Sequence, residues 1–243
     1  MQLDTLAVRL RPRTPLQAAD LGIRLCQANA RAVWTAFALV AVPILTVAVA
    51  ASEISPLLST LLIWWAGPWL DRTVLFVLSR AAFGQATSPA DVWREQQRVW
   101  WRHVWFTLLV RPLSPWRSVT EPVYLLEGLP LLSSGERVRQ IRRRQMGPGV
   151  VMTAAFVAAQ WCLGVALLSL LVWLAPQGFT DAAWSFIDSV NPAQQRIAAG
   201  FYAVTLVFIE PFYVAAGFGL YLNRRAELEG WDIEQEFRRA FAA

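Results

Sequence analysis

The sequence predicts an all-α fold, a polytopic membrane helical bundle with four transmembrane helices, interfacial or re-entrant helices and amphipathic terminal helices. Of the 243 residues, 56% are hydrophobic and only 16% are charged, whereas soluble domains average about 25% charged residues. The apolar residues form unbroken runs, not the periodic stripes of a soluble core. Thirteen tryptophans are many for this length, and tryptophan favours the membrane–water interface.

Four apolar runs are long enough to cross a hydrocarbon core of about 30 Å at a helical rise of about 1.5 Å per residue. They are residues 32–51, 57–78, 150–174 and 197–222. The second run spans only if it continues through Asp71 and Arg72. The alternative ends at Leu70 and leaves both charges at the headgroups. Continuation is the favoured interpretation, because the shorter run falls below roughly 20 residues.

The remaining segments complete one integral membrane domain over residues 1–243. A helix that begins at Thr14-Pro15 is amphipathic and leads into the first span as an interfacial helix. Residues 99–132 are rich in Trp and Phe but broken by prolines, which predicts interfacial helices or a re-entrant hairpin. Residues 223–243 predict a short amphipathic tail helix.

The chain contains no lysine, so arginine supplies its positive charge, and the distribution of the arginines predicts the topology. Four spans place the N-terminus, residues 79–145 and the tail on one side, and that side holds nearly every arginine. The other side holds the turn near Glu53 and the loop 175–195, with Arg196 at its edge. Because cytoplasmic loops carry the positive excess, we expect a multi-pass protein of the cytoplasmic membrane with both termini in the cytoplasm.

Three blocks of the sequence carry a resemblance. They are residues 71–75 with 78–84 (DRTVL, LSRAAFG), 111–118 with 122–123 and 126–129 (RPLSPWRS, PV, LEGL), and 221–225 with 228–234 (YLNRR, LEGWDIE). Together they resemble an uncharacterised group of bacterial polytopic membrane proteins, encoded beside MoxR-type ATPases and membrane proteins with von Willebrand A or transglutaminase-like domains. A weaker similarity is to the membrane-anchor domain of glycerophosphodiester phosphodiesterases. The resemblance implies a component of an envelope-associated system in the bacterial inner membrane, and it implies no activity.

Three charged residues fall inside the predicted spans: Asp71, Arg72 and Glu210. A charge at that depth is expensive unless it is paired or wetted. Glu210 is therefore a candidate proton or cation site, or a hinge with Pro211 beside it. The structural alternative is a Glu210 that is paired or protonated within the bundle. We hypothesise an ion pair between Arg72 and Glu210, because both lie in otherwise uncharged segments.

Two basic clusters are candidate contacts for partner proteins or anionic lipids. They comprise Arg137, Arg139, Arg142, Arg143 and Arg144 before the third span, and Arg224 and Arg225 after the fourth. Nucleic acid is not an expected partner. Glu121 and Glu127 are expected to cap helices or to pair with Arg117 and the first cluster, and His103 to lie in an aromatic belt. No catalytic residue, metal site or cofactor is predicted.

These observations predict a non-enzymatic membrane subunit or scaffold of an envelope-associated complex, which docks other membrane proteins of its system, or lipids, on its cytoplasmic face. The alternative is a transporter or channel-like component that uses Glu210 and Asp71. A third possibility is an anchor for lipid-directed chemistry supplied by another chain. A transporter requires polar residues facing Glu210, and the fourth span offers little beyond Tyr202 and Thr205.

Overall fold

The computed structural model describes residues 13–174 and 192–230, and within these ranges the chain is helical without β-strands. The predicted all-α membrane bundle is confirmed. The helices are α1 (Pro15–Ala28), α2 (Ala30–Ala50), α3 (Pro56–Ala81), α4 (Pro89–Arg94), α5 (Val104–Leu109), α6 (Arg117–Leu126), α7 (Leu131–Arg142), α8 (Met146–Trp173) and α9 (Pro192–Glu229). Short 3₁₀ or π turns lie at Ala51–Glu53, Gln97–Trp101 and Arg111–Leu113.

Four of the described helices, α2, α3, α8 and α9, are long and apolar enough to span a membrane. The helix α3 runs unbroken through Asp71 and Arg72, as the favoured continuation of the second span requires. The helix α9 extends from Pro192 to Glu229, well beyond the predicted run. Residues 223–229 of the predicted tail helix 223–243 therefore prolong α9. Residues 1–12, residues 175–191 of the predicted loop 175–195, and residues 231–243 of the predicted tail lie outside the described residues.

The first helix begins at the predicted capping residues. The Thr14 hydroxyl accepts a hydrogen bond from the Gln17 amide, the Gln17 side chain accepts one from the Thr14 amide, and Pro15 occupies the first turn. The buried face of α1 consists of the small residues Ala18, Gly22 and Cys26. This face packs along α9, so α1 is part of the bundle. The amphipathic pattern predicted only an interfacial helix.

The contact between α1 and α9 is antiparallel and exceptionally close. A Cβ atom on Gly22 would collide with the Ala215 carbonyl oxygen, and one on Gly219 would collide with the Ala18 carbonyl oxygen. At the end of the contact, the Asn223 side chain accepts a hydrogen bond from the Arg13 amide at 2.9 Å. Small residues spaced four apart on both helices permit this approach of the two backbones.

The segment that was predicted as interfacial or re-entrant divides into two parts. The helix α5 is peripheral, with Trp105 and Leu109 exposed. In contrast, α6 is inserted against α3 and α9, and every residue from 118 to 125 is buried. A Cβ atom on Gly217 of α9 would collide with Ser118 of α6, which shows how closely these backbones approach. Residues 117–126 therefore belong to the interior of the bundle.

The helix α8 stands at the edge of the bundle. None of the residues in its most apolar stretch is buried. Its polar contacts lie near its beginning, where the Thr153 hydroxyl donates to the Pro115 carbonyl at 2.7 Å and lies 3.2 Å from the Tyr213 hydroxyl. The helix α8 therefore packs mainly against α9, and its apolar stretch is the most exposed of the four long helices.

Candidate functional site

Arg117, the first residue of α6, joins two of the intramembrane acids that the sequence singles out. Its guanidinium donates to Glu210 Oε1, and its Nε lies 3.4 Å from Asp71 Oδ2. The guanidinium carbon also lies 5.0 Å from the centre of the Tyr213 ring, in cation–π geometry. Asp71 and Glu210 come from α3 and α9, so one arginine from α6 connects three elements. We call Asp71, Arg117 and Glu210 the floor cluster, because they lie at one end of a cleft between α3, α8 and α9.

Arg72 belongs to a second buried cluster. Its Nε donates to Glu121 Oε1 at 2.8 Å, while Arg111 Nε lies 2.7 Å from Glu121 Oε2. Arg111 also donates to the Thr120 hydroxyl at 2.7 Å, and its guanidinium carbon lies 5.1 Å from the centre of the Tyr124 ring. One carboxylate thus faces two guanidiniums, and the three side chains are nearly inaccessible.

The hypothesised pair of Arg72 and Glu210 is wrong. Asp71 and Arg72 are successive on α3, so their side chains leave the helix about 100° apart and enter different clusters. Glu210 pairs with Arg117, and Arg72 pairs with Glu121. The actual partners, Arg117 for Glu210 and Glu121 for Arg72, both lie in residues 99–132, which the sequence predicts as interfacial or re-entrant.

The two predicted basic clusters meet each other at the end of the bundle that carries α4 to α7, which we call the arginine-rich end. Arg137 Nε donates to Glu127 Oε2 at 2.8 Å and its Nη2 to Glu229 Oε1. The Tyr221 hydroxyl donates to the same Glu127 at 2.8 Å. The expected pairing of Glu127 with the basic cluster is therefore confirmed, whereas Glu121 pairs with other arginines.

The arginines of these clusters fall into two groups. Arg137, Arg224 and Arg225 are tied to acids of the same chain, the last two through Glu227 and Glu229 of α9. Arg142 lies over the Trp116 ring at 4.9 Å. The second group comprises the exposed members Arg139, Arg143 and Arg144. These three present their guanidiniums to the surroundings.

His103 lies in a left-handed backbone conformation, with φ of 56°. Burial, followed by the nearby charges of Arg102 and Arg72, lowers the pKa of His103 below its ordinary value. Its expected aromatic belt is present in part, since Trp101 is exposed while Trp100 is buried and donates to the Thr73 hydroxyl at 3.0 Å. Among residues 13–174 and 192–230, no three His, Cys, Asp or Glu side chains are close enough to hold a metal ion.

A cleft of about 870 Å³ lies between α3, α8 and α9, and the floor cluster closes one of its ends. Arg117 and Glu210 line it directly. Its walls are mainly apolar and aromatic, with Trp64 of α3, Phe156 and Trp161 of α8, and Phe201 and Ile209 of α9. Polar groups also line the cleft: Tyr202, Thr205 and Tyr213 come from α9, the helix that carries Glu210, and Thr153 and Gln160 come from the α8 wall. The transporter hypothesis required such groups, and the sequence alone did not place those of α8.

The depth of the floor cluster follows from helix geometry. Arg196 Nη1 and Glu53 Oε1 pair at 2.6 Å and mark the end of the bundle opposite the arginine-rich end. Glu210 lies fourteen residues beyond Arg196 on α9, which corresponds to about 21 Å along the helix axis. Asp71 lies fifteen residues beyond Pro56 on α3, or about 22 Å. A hydrocarbon core of about 30 Å that begins at Arg196 and Pro56 would therefore contain the floor cluster about two-thirds of the way through.

No protein-family model, curated protein or solved structure matches this chain.

Proposed function

We propose that this protein is a non-enzymatic membrane component that binds an amphiphilic, lipid-like molecule within the bilayer. The observation that carries the proposal is the cleft, with its apolar walls and the charged floor cluster at one end. Its volume falls within the range of about 300 to 1,000 Å³ that is typical of small-molecule sites. This proposal develops the transporter alternative, because Asp71 and Glu210 are brought together at the floor.

The position of α8 supports access from the lipid phase. Val157, Trp161 and Val165 line the cleft and are also exposed, so this wall meets the surrounding acyl chains. A molecule with an apolar body can enter sideways from the bilayer without passing through water. Its polar group can then reach Glu210 and Arg117, whereas a water-soluble substrate would have to leave its hydration shell.

The proposal includes an orientation. The arginine-rich end faces the cytoplasm, and the protein lies in a bacterial inner membrane. The positive-inside rule and the resemblance support these assignments. In this orientation the cleft extends from the outer side toward the inner leaflet, and the floor cluster lies nearer the cytoplasm.

A docking role remains a second proposal, and the exposed group of arginines favours it. Arg139, Arg143 and Arg144 lie close together before α8, where they can contact anionic lipids or an acidic surface of another membrane protein. Replacing all three with glutamine is expected to remove co-purifying partners or anionic lipids and to leave ligand binding in the cleft unchanged. Co-purification of the same partners with this variant would contradict the docking role.

The cleft is tested with a neutral photoreactive lipid. A monoacylglycerol with a diazirine in its chain is incorporated with the purified protein into nanodiscs, and adducts are located by mass spectrometry. We expect adducts at Thr205 or Tyr213, which line the cleft and are buried. Labelling there should be saturable by unlabelled monoacylglycerol, because the number of sites is limited.

Two glycines provide a matched pair for this test. A side chain at either Gly164 or Gly200 would meet open space, but only Gly164 lines the cleft. Gly164→Trp should therefore abolish saturable labelling at Thr205 and Tyr213, while Gly200→Trp should preserve it. Equal labelling in both variants, or labelling that never saturates, would overturn the proposed binding site.

A further inference from the structure

The floor cluster contains two carboxyl groups and one guanidinium. The charged groups that face Asp71 are Arg117 and Glu121 from α6 and Glu210 from α9. Glu121 is already satisfied by Arg72 and Arg111, so Arg117 is the one cation that the described residues supply to Asp71 and Glu210. The described part of α8, which forms the opposite wall, carries no charged residue. With both acids ionised, the cluster has one negative charge in excess.

An excess charge at this depth has to be neutralised. Asp71 is only 3% exposed and Glu210 only 4% exposed, so bulk water does not solvate them. Transfer of an unpaired carboxylate into such an environment is strongly unfavourable. Either a proton shared by the two acids or a cation from outside the protein can remove the excess.

One acceptor atom of the cluster also lacks a partner. Asp71 Oδ1 is buried and receives no hydrogen bond from any described residue. Asp71 lies one helical turn beyond Gly67 on the same face of α3, and Gly67 lines the cleft beside the Arg117 guanidinium. Arg117 and Glu210 line the cleft and Asp71 does not, so the Asp71 carboxyl group lies behind the part of the floor that a ligand would meet.

We propose that the floor of the cleft recognises a lipophilic monovalent cation, such as an amphiphilic amine or a quaternary onium ion, and that the cation exchanges with one proton held by Asp71 and Glu210. This proposal rests on the proposed binding of an amphiphile in the cleft and specifies its charge. The proton leaves as the cation binds, so the net charge of the floor cluster stays the same.

The walls of the cleft suit a cation with an apolar body. Six aromatic residues line it, namely Trp64, Phe156, Trp161, Phe201, Tyr202 and Tyr213. Ring faces attract cations, most strongly where water is excluded. An anionic group would instead add to the negative excess and compete with both carboxylates for Arg117, which already pairs with Glu210 and Asp71.

Two ions of matched shape and opposite charge test the proposal. Binding of tetraphenylphosphonium and of tetraphenylborate is measured at equilibrium on the purified full-length protein in nanodiscs of zwitterionic lipid. We expect tetraphenylphosphonium to bind at least about tenfold more tightly than tetraphenylborate, because charge discrimination is strong in a poorly solvated site. Its affinity should fall as pH is lowered, with about one proton released for each cation bound.

Substitutions identify the acids that are responsible. Asp71→Asn and Glu210→Gln should each remove the pH dependence and weaken tetraphenylphosphonium binding at least about tenfold, because each removes the exchangeable charge. Asp20→Asn, at an exposed acid of α1, is the matched control and should bind as the wild type does. Each variant neutralises a single acid, and Asp71→Asn removes the excess charge, so both floor variants are expected to fold.

The possible outcomes separate this proposal from the one on which it rests. If both ions bind equally well and both are blocked by Gly164→Trp, the cleft is a binding site but its preference for cations is disproved. Cation binding without proton release overturns the exchange. If neither ion binds and the monoacylglycerol also fails to label the cleft, the proposed function itself fails.

Discussion

At the scale of residues, the membrane-embedded charges are arranged so that neighbours in sequence serve different clusters. Asp71 joins Arg117 and Glu210, while Arg72 joins Glu121 and Arg111. Both clusters depend on residues 111–121, which return to the interior of the bundle. A buried pair adds little stability compared with a well-packed apolar pair, but the loss of one partner leaves an uncompensated charge. The clusters therefore specify where α6 is inserted.

Glu121 provides a direct test of this role. Glu121→Gln leaves two buried guanidiniums without their carboxylate, and we expect a loss of about 3 to 5 kcal/mol in the free energy of unfolding. The measurement is thermal and denaturant-induced unfolding of the detergent-solubilised protein, followed by circular dichroism. Glu136→Gln, at an exposed acid of α7, should change the free energy of unfolding by less than about 0.5 kcal/mol. Equal unfolding of the two variants would show that the Arg72–Glu121–Arg111 cluster does not hold α6 in place.

At the scale of elements, the contact between α1 and α9 depends on the absence of side chains. Gly22 and Gly219 each face a backbone carbonyl of the opposite helix, and backbone cannot move aside as a flexible side chain can. Ala18 and Ala215, which supply those carbonyls, are themselves fully buried. This contact fixes α1 beside the second half of α9, where the chain leaves the predicted fourth span.

Adding one methyl group tests this contact. Gly22→Ala and Gly219→Ala should each destabilise the protein by about 1 to 3 kcal/mol through overpacking, even though alanine is the better helix former. Gly200→Ala, which meets open space on the same helix α9, should instead be neutral or stabilising by up to about 1 kcal/mol. Unfolding in detergent gives the sign of each change. A stabilising effect of Gly219→Ala would mean that the two helices lie farther apart.

The elements show which predictions a sequence supports. Three of the four predicted spans are reproduced within a few residues because an uncharged run of sufficient length identifies a span by itself. The α9 run was cut short at Leu222, because Asn223 and Arg224 interrupt the apolar pattern while the helix continues. The sequence does not predict the insertion of α6, since Thr120, Glu121 and Pro122 resemble a surface segment. Their burial is explained only by the pairing of Glu121 with Arg72 and Arg111.

The floor cluster illustrates the same limit. Two of its three members, Asp71 and Glu210, could be identified because a charge inside an apolar run is conspicuous. Their common partner could not, because Arg117 lies outside the apolar runs and more than forty residues from either acid. The cleft depends on how α3, α8 and α9 pack around it, and such packing has no local signature in the sequence.

At the scale of the whole molecule, the arginines divide into those that connect helices and those that face the surroundings. This division does not alter the predicted orientation, since both groups lie at the arginine-rich end. Two exposed positions allow the orientation to be tested without removing an arginine. Ile54 lies at the end marked by the pair of Glu53 and Arg196, and Gly135 lies on α7.

Single cysteines at these positions report the orientation. In a variant with Cys26 and Cys162 replaced by alanine, Ile54→Cys should react with a membrane-impermeant maleimide in intact spheroplasts. Gly135→Cys should react only after the membrane is permeabilised, if the arginine-rich end faces the cytoplasm as we propose. The cysteine-free protein controls for background labelling. The reverse pattern would invert the topology and place the floor cluster nearer the outer leaflet.

The peripheral position of α8 has a mechanical consequence. Its first turns are attached to the rest of the protein, through the indole of Trp116, which donates to the Met146 carbonyl at 2.9 Å, and through Thr153. From Trp161 to Leu170 its side chains are exposed or half-buried, and the next buried residue that the structure describes is Val172, near its end. When α8 moves outward, these side chains exchange one apolar neighbour for another, since acyl chains are about as apolar as leucine. The middle of α8 can therefore bend outward at small cost, and we expect the width of the cleft to respond to the lateral pressure of the lipids.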